Sequence, residues 1–114
     1  MEAEPAIVAA FHAALPDDPN VEIKKMFGMP AAFLNRQMFF GIFEGTLVAR
    51  VGPSKVDTLV DQPGKRVFSP SPERAWPDYV QVEASEDAAV LASLAADALR
   101  FVAKLPKKVK KPKR

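Results

Sequence analysis

The chain has 114 residues, enough for one domain and too few for two. It contains no cysteine, which excludes disulfides, thiolate metal sites and thiol catalysis. Its formal charge of +2 conceals a division: seven of the 16 basic residues lie from Lys104 onward, and the body before them carries nine basic against 14 acidic residues, a net −5.

In chain order, residues 4–15 predict a helix. Ile7, Val8, Phe11 and Leu15 recur at helical spacing, and Pro5 suits a first turn, where its missing N–H costs nothing. Pro16-Asp17-Asp18-Pro19-Asn20 is turn chemistry. From Val21, apolar residues alternate with Glu22 and Lys24, predicting a half-buried strand that enters Met26-Phe27 and breaks at Gly28 and Pro30. Ala31 to Leu34, Met38 to Phe43 and Thr46 to Val51 read as further strands of an antiparallel meander. Asn35-Arg36 and Glu44-Gly45 form its tight turns. A short helix is expected over Pro53 to Asp61, with Val56, Leu59 and Val60 inward. A short strand is expected at Lys65 to Phe68, a loop at Ser69-Pro70-Ser71-Pro72, and a last strand at Tyr79 to Val82. Ser85 reads as the N-cap of a final helix reaching Leu105, with Glu86 and Asp87 in its first turn. Its apolar stripe is Val90, Leu91, Leu94, Ala98, Phe101, Val102 and Leu105. Strands in runs, separated by helices, predict an α+β fold. It is a mostly antiparallel sheet of about five strands with helices on one face. The expected organisation is a domain over 1–105 followed by a disordered basic tail over 106–114.

This order and several residues resemble the N-terminal domain family of the TfoX/Sxy competence regulators. The residues that carry the resemblance are Lys25-Met26-Phe27-Gly28, Asn35-Arg36, Met38-Phe39, Leu47 to Arg50 and Tyr79-Val80-Gln81-Val82, followed by the amphipathic last helix. The chain departs from the family where Met29-Pro30 stands in place of a second glycine, and where Arg50 replaces the usual lysine. The family's two-domain regulators carry a second domain of helix-hairpin-helix character; this chain looks like a stand-alone member, many of which have lysine-rich tails. The resemblance implies the order α-β(3)-α-β(2)-α, similar to secretion chaperones and YjbR-type domains. It also implies a regulatory or protein-interaction role linked to transcription or competence in a bacterial cytoplasm.

No catalytic constellation is read from the residues. His12 is the only histidine, and its helical position is away from the apolar stripe and without a nucleophile or orienting partner. Asp17-Asp18 and Glu86-Asp87 sit at helix ends, where turn formation and capping explain them. Asp57 and Asp61 share one helix face and read as solvated. Gly41, Gly45 and Gly52 are too scattered for a phosphate loop. The expectation is a non-enzymatic domain without cofactor or metal.

Two binding readings remain. Lys104, Lys107, Lys108, Lys110, Lys111, Lys113 and Arg114 form a basic arm that would attract nucleic acid weakly and without sequence preference, or an acidic partner; the alternative is a tail that only solubilises. Lys24, Lys25, Phe27, Arg36 and Trp76 are candidates for a surface that meets an unidentified protein partner, although the size of Trp76 favours a buried ring that closes the end of the core. The lysines at 24 and 25 also suit a solvated edge that discourages pairing between sheets. A folded body that itself binds nucleic acid would need Lys24, Lys25, Arg36 and Arg50 gathered together, and a small-molecule binder would use the sheet near Met26. Glu2 and Glu4 stand where a secretory leader would be basic, and no apolar run is long enough to cross a membrane. A cytoplasmic, non-membrane protein is therefore expected. Nothing in the sequence sets an oligomeric state.

Overall fold

The computed structural model describes residues 5–26, 29–43, 45–71, 73–83 and 87–105. The elements in chain order are α1 (Pro5–Ala14), β1 (Glu22–Met26), β2 (Met29–Leu34), β3 (Gln37–Phe43), β4 (Thr46–Arg50), α2 (Pro53–Leu59), β5 (Lys65–Ser71), β6 (Arg74–Glu83) and α3 (Ala88–Ala103). The strands make one six-stranded sheet in the order β1-β2-β3-β4-β6-β5, antiparallel throughout. The fold is the expected α+β class, with six strands in place of about five. Four strands precede α2, as the residue pattern predicts, where the order implied by the resemblance had three.

The turns follow from residue chemistry. Asn35 and Arg36 both have positive φ, 53° and 68°, the backbone that a two-residue hairpin between twisted strands demands. Antiparallel neighbours share a face, so the register divides the strands into two sets. Ala32, Phe40, Ile42, Leu47, Ala49, Val80 and Val82 turn toward the helices. There they meet Ile7, Phe11 and Ala14 of α1, Val56 and Leu59 of α2, and Leu91, Leu94, Ala95, Ala98 and Val102 of α3, all buried. Phe11 stacks on Phe40 with ring centroids 5.6 Å apart, joining helix layer to sheet.

Four expectations change in detail. Ile23 is 49% exposed, and Glu22, Lys24 and Lys25 are exposed too, so β1 is not the half-buried strand its alternation suggests. It lies at the sheet's edge, and the buried helix residues pack onto inner strands. Second, the segment 69–71 is strand rather than loop, and β6 begins at Arg74, five residues before the expected Tyr79. Proline is tolerated at edges and bulges; β5 is an edge strand, and its pairing with β6 shifts register between Val67 and Phe68 and again between Phe68 and Ser71. Third, α2 ends at Leu59, two residues short of Asp61, with Val60 as its C-cap. Fourth, the cap of α3 is Asp87, whose side chain accepts from the Ala89 N–H at 2.7 Å; Ser85 and Glu86 lie outside the described residues. Among the described residues no helix is long and apolar enough to cross a membrane.

Candidate functional site on the uncovered sheet face

The remaining strand residues point away from the helices. Ala31, Met38, Val48 and Phe68 are buried there, with Phe33, Phe43, Trp76 and Tyr79 partly buried around them. Among the described residues no helix supplies this second cluster; it is made by strands alone. The β5–β6 hairpin closes it. The bulges after Val67 break simple alternation and set Phe68 opposite Trp76, so the distal hairpin brings its aromatic residues onto this face. Phe68, fully buried, meets Phe43 edge-on at 4.9 Å and Trp76 edge-on at 5.1 Å. Tyr79 lies 5.2 Å from Trp76 and 6.1 Å from Phe68. Such edge-to-face and tilted contacts match the ring quadrupoles.

Polar groups fix the rim. The Tyr79 hydroxyl donates to the Met38 carbonyl at 3.1 Å. Burial pushes the Tyr79 phenol above its ordinary value of 10.0, an effect partly offset by the Arg50 charge and reinforced by Asp78. Arg50 forms an ion pair with Asp78 at 3.2 Å and donates to Gln37 Oε1 at 3.2 Å. Its guanidinium lies 5.8 Å from the ring centroids of both Tyr79 and Phe101. Farther along, buried Gln81 donates to Thr46 Oγ1 at 2.7 Å, and that hydroxyl donates to the Phe43 carbonyl at 2.6 Å. These bonds satisfy the two buried polar side chains among the described residues.

Three hollows are shallow and open to solvent. One of about 290 Å³ is bounded by Ala75, Trp76, Pro77, Asp78 and Tyr79, on the aromatic face. A second, of about 410 Å³, lies where α2 meets the end of α3, against Gly52, Pro53, Lys55 and Phe101. Gly52 has φ 94°, and a Cβ there would come within 2.6 Å of the Phe101 ring, so only glycine fits this corner. A third, of about 260 Å³, runs between α2 and α3 past Lys55 and Asp97, which pair at 3.2 Å. Among the described residues no three His, Cys, Asp or Glu side chains converge in a metal-holding group. His12 is exposed on α1, edge-on to Phe11 at 5.1 Å.

The structure does not gather the candidate partner residues. Lys24 and Lys25 are exposed on opposite faces of β1, Arg36 is exposed in the β2–β3 turn, and Arg50 is held by Asp78. Trp76 is half-buried in the second cluster and does not close the end of the main core. Lys104 is exposed just beyond α3. Phe27, Lys107, Lys108, Lys110, Lys111, Lys113 and Arg114 lie outside the described residues. Sequence reasoning missed Phe33, Phe43, Phe68 and Tyr79 as one surface. The only signal was their alternation with core residues: Phe33 between Ala32 and Leu34, Phe43 after Ile42, Tyr79 before Val80.

Residues 13–102 match the sequence profile of the TfoX N-terminal domain. The chain belongs to that family. No curated protein and no solved structure matches it significantly. The matched span runs from the end of α1 into the last turn of α3, and so takes in the whole sheet and the aromatic face of this TfoX N-terminal domain.

Proposed function

We propose that this TfoX N-terminal domain is a non-enzymatic regulatory module that binds a protein partner through the aromatic sheet face. The observation that carries the reading is the cluster of Phe33, Phe43, Trp76 and Tyr79, which no helix covers among the described residues and which surrounds the sealed Phe68. The hollow beside Trp76 has mainly apolar walls, and its one carboxylate, Asp78, is already committed to Arg50. It suits an apolar side chain from a partner, with Trp76 as the anchor. Family membership supports a setting in transcription or competence control, and the cysteine-free composition supports the cytoplasm.

The test is site-specific photocrosslinking in cells. A crosslinking residue at Ala75 is compared with one at Asp57, which is exposed on α2. The reading expects one discrete protein adduct from position 75, lost when Trp76→Ala is added, and none from position 57. Adducts independent of Trp76, or no adduct at position 75, reject it.

The charge division favours a second reading, in which the basic arm adds weak nucleic-acid affinity to an acidic body. Neutralising about five phosphates would give a slope of log K against log salt of roughly −4 to −5. Fluorescence anisotropy with a labelled duplex checks this. Binding should vanish in a chain ending at Leu105, the last residue packed against the core. Binding that survives this truncation assigns the affinity to the body instead.

A further inference from the structure

We infer that β1 is a homodimerisation edge, at which two copies join their sheets antiparallel about a two-fold axis through Ile23. Among the described residues β1 is the outermost strand, paired on one side only, to β2. An unpaired strand edge is a template for another strand, and proteins usually block it with charge. Here the charges are arranged so that one partner is accepted. That partner is a second copy of this chain.

The argument is one of register. In a symmetric antiparallel pair, a two-fold axis perpendicular to the sheet keeps each face on the same side. Directly opposed residues must therefore come from the same face in both copies. Glu22 and Lys24 share the face opposite the helices, where their side chains pair at 3.9 Å within one strand. Ile23 lies on the other face. Centring the axis on Ile23 sets Glu22 against the second copy's Lys24, and Lys24 against its Glu22. Both charges on this face are then matched by an opposite charge directly across the junction.

The same register brings Ile23 against its own copy. Ile23, at 49% exposure, is the one exposed large hydrophobic among the described residues. A strand in mid-sheet would have no reason to expose it; a dyad contact would cover it. The neighbouring symmetric registers fail on charge. Centring on Lys24 opposes two lysines, and centring on Glu22 opposes two glutamates. The edge thus selects against off-register and foreign strands while accepting itself. The lysines that discourage random pairing are here half of a self-complementary code.

A five-residue strand buries less surface than a standard stable interface, so the dimer is weak, with a dissociation constant on the order of 100 μM. The experiment is sedimentation equilibrium of the full chain across that range. The side chains of Glu22 and Lys24 are 62% and 56% exposed, so Glu22→Lys and Lys24→Glu leave the fold intact, and circular dichroism checks this. Each single variant puts like charges across both pairs and should weaken self-association roughly tenfold. Mixing the two variants matches every pair again and should restore a heterodimer. The double swap Glu22→Lys/Lys24→Glu should restore the homodimer. Asp57→Lys, exposed on α2, should change nothing. A chain that stays monomeric at the highest concentration overturns the inference. So does a dimer indifferent to both charge reversals, and so do variants that weaken singly and are not rescued by mixing.

Discussion

On the helical side of the sheet, three helices seal a mostly aliphatic core; on the other side, four buried residues are ringed by partly buried aromatic side chains from the strands and a bulged hairpin. The helical side spreads its burial over many small and branched residues, such as Ala32, Ala49, Ala95 and Ala98, which let helices approach the strands closely. The open side depends on a few large rings meeting edge to face around Phe68. The first arrangement is built for stability, because every apolar atom added to it is sealed from water. The second keeps the edges of Phe33, Phe43, Trp76 and Tyr79 available for a partner, and its worth to the free protein is correspondingly smaller.

Mutations break this contrast in a definite order. Phe11→Ala should cost most, about 4 kcal/mol in urea unfolding. Phe11 is fully buried and bridges helix layer and sheet, and neither can move in to fill the gap. Phe68→Ala removes an equally buried ring from the other face, yet should cost less, nearer about 3 kcal/mol, because the partly buried Trp76 and Phe43 can collapse into the space. Equal costs for the two would mean that the second face is as rigid a core as the first. Trp76→Ala should lower stability by only about 1–2 kcal/mol, since the ring is only partly buried, while abolishing the crosslink at position 75. A large loss of stability with this variant would make Trp76 a structural residue and not a binding one.

The smallest effect concerns Tyr79. Its folded phenol titrates above the ordinary 10.0, so folding favours the protonated form. The stabilisation is complete below pH 10.0 and falls as pH rises through the folded value, because the unfolded chain ionises first. Tyr79→Phe should cost about 1 kcal/mol at neutral pH through loss of the hydrogen bond to Met38, and should remove Tyr79's share of the alkaline decline. Tyr79 is the only tyrosine, so the phenolate absorbance of the native protein reports it directly. A midpoint at or below 10.0 would show that the ring is more exposed than its contacts imply.

By itself the sequence determined what depends on near neighbours along the chain. The helices were legible in the 3.6-residue recurrence of Ile7 and Phe11, and of Leu91, Leu94, Ala98 and Val102. The hairpin at Asn35-Arg36 was legible because few residues accept two positive φ angles in succession. The charge division was legible by counting. Tertiary structure decided what alternation cannot encode, namely which side of a strand is covered and where each strand stands in the sheet. Val21 and Ile23 alternate with charged residues just as core-facing residues do, but an edge strand beyond the helices leaves Ile23 in water. Pro70 argued locally for loop, and the bulged pairing of β5 with β6 kept it in a strand. The aromatic face exists only because that pairing brings Phe68, Trp76 and Tyr79 beside Phe43, 25 residues or more earlier in the chain. Contacts at that separation are set by the closing of the whole sheet, not by the preferences of any one segment.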